Sequence, residues 1–356
     1  MAIEFMPSTI SIDAEVLQLL EAISRKQGEL SAHQHSIRDQ QEIETIATID
    51  AVHFSTKIEG NHLSRDQVTQ ALKTKEPKSP NHDLREVLNY SRARTLAREW
   101  VSKKKPFDDE WVLSLHKELL HGIVNGKLRG HYREAQCVIQ DSKSRAIVYM
   151  AADAKDVPLL MNGLLTWLRR QRVLSASPLL LAAQFHFELV TIHPFMDGNG
   201  RIARLLTNGI LLSGAHDIEH FAALEKQHEK DRAAYYRALR SLQAQNYYDI
   251  PHHQDIHSWV THWLKCLLAT YEEALIRVSG AKPISPSNHP PSIADRLEKA
   301  ASVFRRHSKL RASEYADLMG LARTQAVADL NRLVEAGTLV RVGGGRSTVY
   351  KVKGDK

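Results

Sequence analysis

Apolar residues recur at helical spacing along most of this chain, and strict alternation is confined to a few short runs. Ile12, Val16, Leu19, Leu20 and Ile23 share one stripe, which predicts an amphipathic helix over residues 12–30. Ile43, Ile46, Ile49 and Phe54 predict a second over 37–57, and Glu59-Gly60-Asn61 reads as its stop. Ser64-Arg65-Asp66-Gln67 has the spacing of a capping box and should open a third. Further helices are expected over 83–102, 108–121 and 156–170. The run 178–190 is apolar nearly throughout, long enough for a buried helix, and Ile202, Leu205, Leu206, Ile210 and Leu212 restore a helical stripe just after it. Residues 232–245 form another such segment. Before residue 300, β-rich runs occur at 130–140 and 145–150, around the polar Asp141-Ser142-Lys143-Ser144. They read as one hairpin, which is marginal alone and must dock on the helices.

Two polar, Pro-containing breaks punctuate this pattern, at 73–81 and, more clearly, at 283–291. After the second, helical stretches are predicted near 293–305, 312–319 and 324–336, then two strands around Gly343-Gly344-Gly345. Helix, helix, recognition-type helix and wing is a winged helix-turn-helix pattern. The expected architecture is therefore mainly α. It comprises an N-terminal helical region (1–80), a helical body with a hairpin (81–280), a linker (281–291) and a winged-helix domain (292–356).

Composition narrows the class. A chain of 356 residues, 43% hydrophobic and 25% charged, suits a globular protein with a sizeable core. The N-terminus shows no secretory pattern and no run approaches a membrane span, so neither export nor membrane insertion is expected. Only Cys137 and Cys266 occur, which argues against a disulfide framework and for a reducing cytoplasm. The net charge is +7, and residues 292–356 carry 13 Lys+Arg against 7 Asp+Glu. That C-terminal excess fits either an acidic partner such as DNA or a solvated basic face. His253 and His257 have the spacing of a metal pair, but no third ligand supports them. His116 and His121 read as packed or exposed helix residues.

Between the two central helices lies Thr191-Ile192-His193-Pro194-Phe195-Met196-Asp197-Gly198-Asn199-Gly200-Arg201-Ile202-Ala203-Arg204. Gly198 and Gly200 permit a tight turn and close approach of a ligand, and Asn199 is placed as the N-cap of the next helix. A glycine-bordered helix N-terminus is suited to phosphate oxygens, and Arg201 and Arg204 add two cations one turn apart. His193 can accept a proton near neutral pH, and Asp197 is a hard oxygen ligand for Mg²⁺. Together these suit phosphoryl or nucleotidyl transfer.

The stretch HPFMDGNGRIAR (residues 193–204) resembles the Fic-domain signature HPFx(D/E)GNGRxxR at every defined position. Ser55-Thr56-Lys57-Ile58-Glu59-Gly60 resembles the inhibitory motif (S/T)xxxE(G/N) of the same proteins. The resemblance covers most of the chain and implies a protein adenylyltransferase. His193 would be its base and Asp197 its Mg²⁺ ligand. Gly198, Asn199, Gly200, Arg201 and Arg204 would hold ATP, with Tyr235, Tyr236 and Gln243 around adenine. Glu59, with Ser55, would restrain the enzyme by pairing with Arg204. The hairpin would be a flap in which Ile147, Val148 and Tyr149 dock the main chain of a protein substrate bearing a hydroxyl side chain.

Two alternatives stay open on the sequence alone. One is a DNA-binding regulator whose Fic body senses nucleotide, with Arg323, Thr324 and Gln325 facing a groove and Arg346 near phosphate. The other is a Fic enzyme that moves a different nucleotide or removes AMP. A homodimer controlling Glu59 is compatible with either.

Overall fold

The computed structural model describes residues 4–32, 37–74, 81–140, 146–280, 300, 304, 309–319, 321, 323–343 and 348–352. The hairpin's polar turn, the Pro-rich linker, most of the helix predicted near 293–305, Gly344, Gly345 and Arg346 lie outside the described residues. The chain divides into two compact units, residues 1–283 and 284–356.

The first unit runs α1 (Ala14–Ala32), α2 (Ile37–Ile58), α3 (Arg65–Lys73), α4 (His82–Ser102), α5 (Asp109–Leu119), β1 (Val138–Gln140), β2 (Ile147–Met150), α6 (Val157–Val173), α7 (Pro178–Ile192), α8 (Asn199–Ser213), α9 (Leu224–Lys230), α10 (Arg232–Arg240) and α11 (His257–Val278). Local chemistry sets many of these starts. Ser64 and Gln67 form the expected capping box on α3, Asn81 caps α4 by accepting from Leu84 N–H (2.8 Å), and α6 and α7 open on Pro158 and Pro178.

α7 is buried on every side from Leu181 to Ile192, which is why its sequence shows no polar stripe. It packs against α6, α8 and α11, while α8 packs against α4 and α5, so the turn joining α7 to α8 emerges from the centre of the core. α1 lies along α11, and α2 packs on α3, α4 and α9. The segment before α1 is tied to the body by Ser8 N–H to Glu188 Oε1 (2.7 Å) and Thr9 N–H to Gln254 O (2.8 Å).

The hairpin pairs antiparallel with Val138 opposite Met150, Ile139 opposite Tyr149 and Gln140 opposite Ile147, the register slipping once between Ile139 and Gln140. It is docked, as a lone hairpin must be: Met150 N–H donates to Gln245 O (2.8 Å) and Tyr149 Oη donates to Thr191 O (2.6 Å). The first of these bonds explains a misreading. The helix predicted to reach residue 245 stops at Arg240, because the polar residues that follow turn back to meet the hairpin.

The second unit contains β3 (Lys309–Leu310), α12 (Ala312–Met319), α13 (Arg323–Glu335), β4 (Leu339–Val342) and β5 (Val349–Val352). The antiparallel sheet has the order β3-β5-β4, and Leu310, Tyr315, Leu330, Leu339 and Tyr350 are buried in a core of their own. β3 escaped the sequence reading, since two residues carry no period. Among the described residues, no helix is long and apolar enough to cross a membrane.

Candidate active site

α7 ends because Pro194 follows His193. A proline disfavours right-handed helical backbone in the residue before it, and His193 takes the left-handed conformation (φ 54°, ψ 61°). Arg133 holds that turn: its N–H donates to Pro194 O (3.0 Å), its Nε donates to His193 O (2.8 Å), and its remaining nitrogens reach Ala135 O and Ala152 O. One buried guanidinium thus ties the root of the hairpin to the turn. The His193 Nδ1 lies 3.1 Å from Val190 O, and a carbonyl can only accept, so Nδ1 carries the proton and Nε2 keeps its lone pair. Burial lowers the proton affinity of His193 and Arg133 lowers it further, while Val190 O and Glu59 work the other way.

Phe195 is fully buried and stacks on His116 at 3.7 Å between ring centroids. His116 also accepts from Gly130 N–H (3.0 Å) and donates to Asp197 O (3.1 Å), and burial holds its pKa down at about 4. It is therefore a neutral strut beneath the turn. Asn199 is not the N-cap that the sequence suggested. Gly198 is (φ 84°), and Asn199 is the first helical residue, its side chain clasping Phe195 through N–H to Oδ1 (3.0 Å) and Nδ2 to O (2.8 Å). The cap position needs positive φ, which glycine adopts without strain. Ile202 N–H makes the first helical bond, to Gly198 O (2.9 Å), so the N–H groups of 199–201 precede the first turn and form the positive end of α8.

A carboxylate sits on that end. Glu59, in the turn after α2, accepts from Arg204 Nη2 at 2.7 Å, and a Cβ on Gly200 would collide with the same oxygen. Arg204 also donates from Nε to Ser55 Oγ (2.9 Å) and from Nη2 to Ser55 O (2.9 Å). Burial opposes its charge, and the Glu59 carboxylate, with Tyr235 and Tyr90, together more than restore it. Arg201 is held differently, by Glu86 of α4 and by Asp197 Oδ1 (2.8 Å). The other Glu86 oxygen accepts from Asn61 Nδ2 (2.9 Å), so the turn that carries Glu59 is tied to the Arg201 pair as well. Arg201 Nε is buried without an acceptor among the described residues. Asp197 is 45% exposed at its side chain, and its Oδ1 accepts from Gly198 N–H (2.6 Å).

The other predicted residues separate. Tyr235 is buried in the core, bonded to His186 Nε2 (2.9 Å). Tyr236 is partly buried beside it, and Gln243, beyond the end of α10, donates to Thr191 Oγ1 (3.1 Å) two residues before His193. In the hairpin Ile147 is exposed and Val148 half-buried, whereas the Tyr149 side chain is a buried anchor that faces no partner. His253 and His257 hold the N-terminal segment, at Pro7 O (3.2 Å) and Ser11 O (3.0 Å). Glu86, His116 and Arg133 were assigned no part in the site from sequence, and Asn61 only marked the end of α2. Each is a single residue without a local signature, and only the fold brings it to the turn.

Residues 106–211 match the model of the Fic/DOC family, and residues 17–99 match that of the Fic/DOC family N-terminal region. The chain is 29% identical to Protein adenylyltransferase Fic of Aedes aegypti over 224 residues (62% of this chain, 42% of that protein), and 28% identical to the Drosophila persimilis protein of the same name over 235 residues (64% and 43%). It spans less than half the length of these curated relatives. The crystal structure of a Fic family protein from Desulfovibrio desulfuricans G20 matches with a TM-score of 0.63 at 24% identity over 99% of both chains. Fic-1 from C. elegans matches with 0.58 at 23% identity, over 73% of this chain and 71% of that one.

Proposed function

The chain belongs to the Fic/DOC family, and on that premise we propose that it is a protein adenylyltransferase, moving AMP from ATP to a Ser, Thr or Tyr hydroxyl of a target protein or of itself, with Glu59 as its restraint. The observation that carries the reading is the Glu59 carboxylate bonded to Arg204 at 2.7 Å, across the glycine that opens α8. A helix N-terminus flanked by two guanidiniums is an anion site, and here the chain's own carboxylate occupies part of it.

With Glu59 withdrawn, the open N–H groups at the start of α8 hold α-phosphate oxygens, and Arg204 and the unpaired Nε of Arg201 take the β- and γ-phosphates. His193 Nε2 accepts the proton of the incoming hydroxyl, whose oxygen forms the bond to the α-phosphorus as the bond to the bridging oxygen breaks and pyrophosphate leaves. Asp197 fits Mg²⁺, which favours one or two protein carboxylates completed by phosphate oxygens and water, and its carboxylate is half-exposed beside the anion site. The ion would neutralise charge on the α- and β-phosphates. The hairpin main chain around Ile147 and Val148 pairs with the target, and Tyr149 keeps that strand in place. The second unit is assigned as a winged helix whose exposed Arg323, Thr324 and Gln325, at the start of α13, form its contact surface for DNA or protein.

Incubation with α-labelled ATP tests this. Glu59→Gly should raise labelling of the protein itself, His193→Ala should abolish it, and the mass gain should be that of AMP. A gain matching UMP or phosphate would reject the nucleotide assignment. Unchanged or lower labelling with Glu59→Gly would reject the restraint.

A further inference from the structure

We propose that His228, His262 and Cys266 form a zinc site that staples α9 to α11, apart from the nucleotide chemistry. His262 and Cys266 are four residues apart on α11 and share one face of it. His228 reaches them from α9, and the three ligand atoms all lie within 4.8 Å of one another. The Cys266 Sγ to His262 Nε2 distance is 3.7 Å, against an N···S edge of about 3.6 Å in a tetrahedral zinc site. A small inward movement of His228 would complete the ligand set.

The second, independent observation is His228 itself. It is 1% exposed, and among the described residues neither of its ring nitrogens has a hydrogen-bond partner. Its ring packs against Tyr235 at 4.7 Å, which fixes its plane but satisfies nothing polar. A buried imidazole with both nitrogens unsatisfied is costly to keep, and a cation between it and α11 supplies the partner. Burial lowers the proton affinity of both His228 and His262, so each presents a neutral lone pair. Burial, with Asp231, pushes the Cys266 thiol up to about 11. A bound cation would offset that by displacing the thiol proton to solvent, leaving the thiolate as ligand. Two imidazoles and a thiolate suit zinc and are a poor set for Mg²⁺. Water takes the fourth position. The site would lock α9 onto the helix that carries Trp259 and Trp263, and so support the packing behind Arg204.

Full-length protein, freed of any affinity tag and dialysed against buffer after zinc loading, should retain about one zinc per chain by elemental analysis. Cys266→Ser and His228→Gln should each lose it. Replacement by cobalt(II) in the wild type should produce a thiolate-to-cobalt charge-transfer band, absent in Cys266→Ser. That spectrum needs no variant to fold, and a metal on Asp197 cannot produce it. Circular dichroism of Cys266→Ser should match the wild type. A wild-type protein that retains no zinc and gives no such band overturns the proposal, as does zinc retained equally by both variants.

Discussion

Arg201 and Arg204 lie one turn apart on α8, both buried and each facing a carboxylate, yet the two pairs are built differently. Glu86 projects from within α4, is 8% exposed at its side chain, and is fixed at its other oxygen by Asn61. Glu59 sits in the turn where α2 has ended, is 27% exposed, and is bonded to Arg204 through Oε1. Arg204 keeps two bonds to Ser55 if Glu59 leaves, whereas Arg201 would keep only Asp197 if Glu86 were lost. One carboxylate belongs to the framework, and the other is the one that the proposed restraint requires to withdraw. A restraint on an anion site has to be of the second kind, since it must yield to phosphate without unfolding its own helix.

Stability measurements break or sharpen this contrast. Glu86→Ala leaves a buried cation with only the half-exposed Asp197 and should cost about 3–5 kcal/mol in urea unfolding. Glu59→Ala should cost less than about 2 kcal/mol, because the Ser55 bonds remain. Equal costs would remove the distinction. Ser55→Ala, which deletes the Nε partner of Arg204, should cost about 1–2 kcal/mol and loosen Glu59 with it, read as increased labelling from ATP. Tyr149→Phe should cost about 1 kcal/mol and speed amide exchange in the hairpin more than in α7.

The smallest effect is on pH. With His193 as the base proposed above, transfer needs it neutral, so activity should rise with pH, its acid limb lying below the ordinary imidazole value of about 6.5. Glu59 raises the proton affinity of His193, so Glu59→Gly should move the limb lower. A limb above the ordinary value would contradict the burial of the base.

What could be read beforehand follows the range of the interactions. The anion turn was legible because its constraints are local: Gly198, Arg201 and Arg204 fall within seven residues, and the capping box on α3 within four. Glu59 was legible only through family resemblance, since its partner lies 145 positions away. Glu86 is 115 positions from Arg201 and looks like any helix carboxylate. His116 read as a bland helix residue because its role is to stack under Phe195, which no spacing encodes. Tyr235 and Tyr236 were read together as a pocket wall, yet adjacent helical residues point about 100° apart and the fold buries only the first completely. The cysteines suggested a reducing compartment and nothing more: His262 lies four residues before Cys266 on α11, but His228 comes from a short helix with no periodic signal and only the fold brings it to them.

Calorimetry of ATP and ADP, each with Mg²⁺, on His193→Ala protein with and without Glu59→Gly, tests the central claim without turnover. If the Glu59 carboxylate stands where a terminal phosphate must go, its removal should improve ATP affinity relative to ADP by about tenfold, close to 1.4 kcal/mol. An ATP-to-ADP ratio that is the same in both proteins, or no magnesium-linked ATP binding once Glu59 is gone, would contradict it.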